Sequence, residues 1–432
     1  MRNAGLPSRS APSPSVIVIS FDAQLAALKS DFIALWRDAS DSALSVSDEQ
    51  APEDQAKHEA QLEEVVLFMK SIDADAQEHV MLQLQHLKAS VRNLVVRSVE
   101  SSLRSETDAI LKEFSESGDE FVRQAREFDS GLDIEDIFQA LRNLWIINSM
   151  QVGLHVPVRV NPSGLAYSLL YPYTDNYLDD PKITLDQKRD FSSRFKCRLS
   201  GSPARTSSPL ESKTWDLVAM IESEYPRCVY PEVYHSLLAI HAGQERSLCQ
   251  QSHPGNGAQS ELLDISVEKG GSSVLADAYI AKGVLSTEES QFSFGYGVFL
   301  QFIDDLQDVA HDLRNGHHTL FTQAASRGAL DGMANRLYGF VDDVLDSCKP
   351  NAPDESATLT ELVRQSCRVL IMESIARSPE LYTEQFVSCA ERRSPVSFSR
   401  IRSLHDKVKT KQAGIRKVLK SKKMFPVVTA YV

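Results

Sequence analysis

No stretch of this chain stays apolar for long. The longest such run near the N-terminus, VIVISF from Val16 to Phe21, falls far short of the roughly 18 residues a membrane-spanning helix needs. Only Arg2 and Arg9 precede it, and no small-residue cleavage site follows, so a secretory leader is not expected either. The expectation is a cytoplasmic protein with no transmembrane segment. Cysteine is sparse and unpatterned. Cys197, Cys228, Cys249, Cys348, Cys367 and Cys389 form no CxxC and have no histidine at zinc spacing, which argues for reduced thiols over a disulfide framework or a zinc site. Positive charge is in deficit, with 46 Lys and Arg against 59 Asp and Glu and a net charge of −13. General nucleic-acid binding is therefore not expected. Strand-like alternation of any length is missing, and so is an internal repeat at a fixed period.

What remains is helical. Leu62, Val65, Val66 and Met69 fall at i, i+3, i+4 and i+7, and Val80, Leu84, Leu87, Val91, Leu94 and Val95 continue the stripe. Asp133 precedes the apolar series Ile134, Ile137, Leu141 and Leu144 and reads as a helix start. NPSG at residues 161–164 is a turn leading into a helix that Pro181 ends. Segments 199–209 and 251–257 read as loops, with helix between them apart from a break near Pro226 and Pro231. A helix over 264–283 is expected to be interrupted at Gly270 and Gly271, and another runs from Thr287 to Leu313. The fold class is all-α. Residues 1–15, rich in Pro and Ser, are expected to be disordered. Residues 16–129 form scaffold helices, continuous in one domain with catalytic helices over 130–391, and 392–432 is a basic tail. Three roles stay open for the scaffold and tail: a lid, a homodimer surface, or contact with an anionic membrane.

The chemistry is carried by acids. Asp304, Asp308 and Asp312 stand at i, i+4 and i+8, so three carboxylates share one helix face, with Asp305 beside them. Like charges four apart on a helix cost about 0.2–0.5 kcal/mol per pair, and hard oxygen donors without Cys or His suit Mg2+. Upstream, Asp175 and Asp179 repeat the i, i+4 spacing, again with a neighbour, Asp180. Two acidic helices facing each other across a cavity become complementary once divalent ions and a diphosphate lie between them. Tyr167 and Tyr171 precede the first set and Phe299 the second, aromatic faces suited to a cation-stabilising pocket.

GVFLQFIDDLQD followed by HDLRNGHHTL resembles the second aspartate-rich motif of class I isoprenoid enzymes, the trans-prenyl diphosphate synthases and terpene synthases. The first motif, Asp175, Asp179 and Asp180, is similar to the DxxxDD of squalene and phytoene synthases. Lys269, before Gly270 and Gly271, stands where prenyl synthases have a helix break whose lysine binds diphosphate. The resemblance covers roughly residues 130–325 and implies a helical bundle around a central apolar cavity and a linear prenyl diphosphate substrate. It also implies three Mg2+ ions in the substrate complex, with Lys269 and Arg246 on the diphosphate. No GGKR motif or arginine pair follows Asp180, and Gly316 and His317 replace a downstream Gly-Lys; both departures weigh against chain elongation. Because Asp304, Asp308 and Asp312 occupy the positions of the three ligands in terpene cyclases, the expected activity is that of a terpene synthase. A head-to-head or chain-elongating prenyltransferase is the alternative. A metal phosphohydrolase of the helical HD type, using His311 and Asp312 with His235, His241, His317 and His318, and a non-enzymatic helical adaptor are the remaining readings.

Overall fold

A computed structural model of the chain describes residues 20–47, 49–71, 80–180, 182–251, 259–347 and 354–405. The expected disorder of residues 1–15, and the basic stretch beyond residue 405, lie outside them. The described residues form helices and no strand. In chain order these are α1 (Phe21–Asp38), α2 (Ala43–Val46), α3 (Pro52–Ser71), α4 (Val80–Ser98), α5 (Arg104–Phe128), α6 (Ile134–Gly153), α7 (Pro162–Asp179) and α8 (Leu185–Leu199). They continue as α9 (Pro209–Glu224), α10 (Pro231–Gln251), α11 (Gln259–Lys282), α12 (Thr287–Asn315), α13 (Leu320–Ala325), α14 (Asp331–Ser347), α15 (Asp354–Arg377) and α16 (Glu384–Arg393).

Local chemistry sets the boundaries. Ser20, Asn161, Thr184, Ser208, Ser286, Thr319 and Thr383 each cap a helix N-terminus through the side-chain oxygen, satisfying amides that have no partner within the helix. Asp133 and Asp136 make a capping box at the start of α6. Gly316, at φ 71°, ends α12 in the left-handed conformation, which glycine adopts without a Cβ penalty.

Helix α11 is the axis of the bundle. It is buried around nearly its whole circumference from Leu262 to Ile280, the signature of a helix enclosed by others, and it packs against α1, α6, α7, α10, α12 and α13. The expected interruption at Gly270 and Gly271 does not occur, because the helix runs straight through both. The glycines serve close packing instead. A Cβ on Gly270 would lie 2.5 Å from Gly297 O and 2.5 Å from Gln301 Cβ, and one on Gly271 would enter the Phe294 ring. Without those side chains the backbones of α11 and α12 approach closely. Trp36 of α1 closes one side of the bundle, with its ring 4.5 Å from Phe302 of α12 and 5.4 Å from Phe340 of α14.

Candidate functional site

The start of α7 is fixed by polar contacts. Asn161 Oδ1 accepts from Gly164 N at 3.0 Å, its Nδ2 donates to Glu224 Oε1 at 2.8 Å, and Ser163 donates through N and Oγ to Glu224 Oε2 at 2.9 and 2.7 Å. From this anchor, Tyr167, Tyr171 and Asp175 fall at i, i+4 and i+8 and look into one cleft. Its walls include Leu170 and Thr174 of the same helix, Phe195 of α8, and Leu237, His241 and Gln244 of α10. The cleft has about 360 Å³ of empty volume, counting the solvent at its mouth. Asp175 is half-buried there, with Gln244 Nε2 at 3.4 Å from its Oδ1. Tyr167 and Tyr171 meet edge to face at 5.7 Å, and the Tyr171 hydroxyl is 3.0 Å from Ser273 Oγ. Tyr173 turns away to donate to Asp129. Asp179 is the last residue of α7, and its side chain lies outside the described residues. Asp180 turns outward at the C-cap and accepts from Lys182 N at 2.8 Å.

The second acidic set divides by face. Asp304 and Asp308 are exposed on α12, and Asp312 is in line with them near its end, where its Oδ1 lies 3.2 Å from His317 Nδ1 and 3.6 Å from His311 Nδ1. Among the described residues none of the three pairs with a lysine or arginine. Partial burial, reinforced by the charges of Asp304 and Asp312, pushes the Asp308 carboxyl above the ordinary range. Asp305 points the other way, into the core. It is 7% exposed and accepts from Gln301 Nε2 at 2.8 Å and Ser266 Oγ at 3.0 Å. Burial pushes it up to about 6, and the positive charge of Lys269 opposes that shift. Phe299 is fully buried against Tyr296 at 4.8 Å, in core packing and not on the walls of the α7 cleft.

Lys269 lies on α11 close enough to Asp305 for their charges to interact. Arg246 is already engaged: it pairs with Asp264 at 2.9 Å and with Glu268, and the same two acids hold Lys29 of α1 at 3.1 and 2.6 Å. The acids of α14 make a useful contrast. Asp342 and Asp346 have the same i, i+4 spacing as Asp304 and Asp308, but Arg364 bridges both at 2.5 and 2.9 Å, and Arg368 adds a contact to Asp342 at 3.0 Å.

Helices α7 and α12, which carry the two acidic sets, both pack on α11. Among the described residues no group of three or more His, Cys, Asp or Glu side chains is arranged so that it could hold a metal ion. The histidines of the phosphohydrolase reading are dispersed. His241 is buried beside Ser192, His235 lies against Phe21, and His311 and His317 stand at the end of α12. Of the cysteines, Cys197, Cys228, Cys367 and Cys389 are free thiols; the Cys249 side chain and Cys348 lie outside the described residues.

One residue that sequence reasoning passed over is Asp277 of α11, which is 1% exposed. Asn143 Nδ2 donates to its Oδ1 at 3.1 Å and is also 3.3 Å from Ser168 Oγ, joining α6, α7 and α11. Burial pushes this carboxyl well above the ordinary range. Its signal was present in the sequence: VLADAYIA sets a lone acid in an otherwise apolar run, and an acid in such a setting is buried only at a cost. Neither a family model nor a curated protein matches this chain.

Proposed function

We propose that the protein is a class I terpene synthase, ionising a linear prenyl diphosphate and converting the resulting cation to a hydrocarbon or alcohol with release of diphosphate. The observation that carries this reading is the acidic face of α12, where among the described residues no lysine or arginine pairs with Asp304, Asp308 or Asp312 and only His311 and His317 meet Asp312. Fold stability alone gives no reason to keep three like charges in line, and where the same spacing serves structure, on α14, arginines neutralise it. Unneutralised acids on a rigid helix suit a charge that arrives from outside.

The donors fit magnesium, which takes oxygen ligands and typically one or two carboxylates together with substrate phosphate, so a closed protein cage is not required. Asp304, Asp308 and Asp312 on α12 and Asp175 on α7 are the residues assigned to hold it. Bound Mg2+ supplies Lewis-acid neutralisation of charge on the departing diphosphate. Lys269 donates hydrogen bonds to a diphosphate oxygen and strengthens them as negative charge grows. Asp305, fixed by Gln301 and Ser266, orients Lys269 through its charge. Arg246, committed to Asp264 and Glu268, holds α10 to α11 in this reading. As the C–O bond breaks, its electron pair leaves with the diphosphate and the allylic cation faces Tyr167 and Tyr171, where each aromatic face contributes about 0.5–2 kcal/mol. Leu170, Leu237 and Ile240 supply the apolar wall.

The test is incubation of the full chain with Mg2+ and geranyl, farnesyl or geranylgeranyl diphosphate, with and without isopentenyl diphosphate, followed by mass spectrometry of extracted products. One allylic substrate converted without isopentenyl diphosphate supports the cyclase. A joined product identifies a prenyltransferase, and no diphosphate release from any substrate overturns the reading.

A further inference from the structure

Among the buried polar atoms that make no hydrogen bond to protein are Asp277 Oδ2 and Tyr167 Oη. Asp277 is 1% and Tyr167 3% exposed, and they come from adjacent helices, α11 and α7. They are neighbours: one turn along the same two helices the Tyr171 hydroxyl lies 3.0 Å from Ser273 Oγ, and Asn143 Nδ2 links Asp277 to Ser168, the residue after Tyr167. A buried polar atom left unsatisfied costs about 1–3 kcal/mol, and two in one place point to a small polar group that completes both. Tyr167 also lines the cleft that holds Asp175, so this position adjoins the proposed substrate pocket. Its polar neighbours include Asn143, bonded to Asp277 Oδ1, and Tyr171, edge to face with Tyr167.

We infer that Asp277 and Tyr167 form a polar subsite that holds one water molecule against the substrate pocket, and that this water captures the carbocation, so the product is an alcohol. The inference rests on the isoprenoid-synthase reading and deepens it. In the step, a water oxygen lone pair forms the new C–O bond to the cation, and one proton is lost from the resulting oxonium. The released diphosphate, an anionic base generated in the same turnover, takes that proton. Asp277 does not act as the base. Burial pushes its carboxyl well above the ordinary range and so favours the protonated form, which binds the water by donating through its O–H and accepting through its carbonyl oxygen, while Asn143 fixes the plane of the carboxyl.

The experiment is turnover of the full chain with Mg2+ and each allylic diphosphate in water labelled with heavy oxygen. The wild-type product is expected to be an alcohol carrying the label. In Asp277→Leu and Tyr167→Phe, losing one hydrogen bond to the water should lower the ratio of alcohol to hydrocarbon by about tenfold, while Asp277→Asn, which keeps an oxygen acceptor and a donor, should hold the ratio near wild type. Diphosphate release with only unlabelled hydrocarbon products overturns the inference and leaves the terpene-synthase reading standing. A ratio unchanged in both the leucine and phenylalanine variants also overturns it, because neither group would then be holding the attacking water. If no substrate releases diphosphate, the functional reading fails and the water site falls with it.

Discussion

At the scale of single residues, the α12 face is held against its own repulsion. Asp308→Asn should abolish diphosphate release and yet raise stability in metal-free buffer by about 0.2–0.5 kcal/mol for each relieved i, i+4 pair, read as a higher urea midpoint. A loss of stability instead would mean that Asp308 is a structural partner. Asp305 supplies a pH dependence. Its carboxyl is held at about 6 in the fold by burial, against roughly 3.9 in the unfolded chain. Its contribution to stability is therefore fully present below the unfolded value and is lost as pH rises towards the folded one, by about 3 kcal/mol in total. Urea titrations from pH 4 to 7 should show this slope in the wild type and a flatter one in Asp305→Asn. That the four acids of IDDLQDVAHD would divide between two faces was readable in part: Asp305 follows Phe302 by three positions and precedes Val309 by four, on the apolar stripe, whereas Asp304 and Asp308 lie off it. Arg246 was not legible at all. Its partners Asp264 and Glu268 come from the next helix, and Lys29 competes for them from a segment over 200 positions away.

Among elements, the helix starts were the most legible, because a capping side chain and its amide are three residues apart in sequence. Asp133 marks α6 where expected, whereas α7 begins at Pro162, inside the stretch expected to be a turn, because Asn161 caps it. The continuity of α11 was not legible, since a Gly-Gly pair reads locally as a break, and only the neighbouring helix shows why both side chains must be absent. Gly270→Ala should cost about 1–3 kcal/mol through overpacking, because its Cβ would press on backbone at Gly297. Chemical denaturation measures this, and a near-neutral result would mean that α12 can shift outward freely. At the other acidic helix, Asn161→Ala removes both the cap of α7 and a bond to Glu224. A loss of about 1 kcal/mol is expected from the cap alone, again read from the urea midpoint.

For the whole molecule, the all-helical class follows from the absence of strand alternation together with the 3.6-residue stripes. That α7 and α12 both pack on α11 does not follow, because it depends on contacts between segments far apart in the chain. If both sets bind one ligand, Mg2+ and pyrophosphate together should raise Tm, by linkage worth about 3 kcal/mol at a hundredfold excess over Kd, while either alone does little. Equal shifts from pyrophosphate alone would point to simple anion binding. No described helix is long and apolar enough to cross a membrane.

The clasp of Lys29 on Asp264 and Glu268, with Trp36 wedged between Phe302 and Phe340, has a consequence for synthesis on the ribosome. Once α1 has left the exit tunnel, it cannot bury Phe32 or Trp36 until some three hundred further residues have been translated, a delay on the order of tens of seconds at typical elongation rates. Throughout that interval its greasy side is exposed to the cell, making the nascent N-terminal segment the natural place for a chaperone to attach.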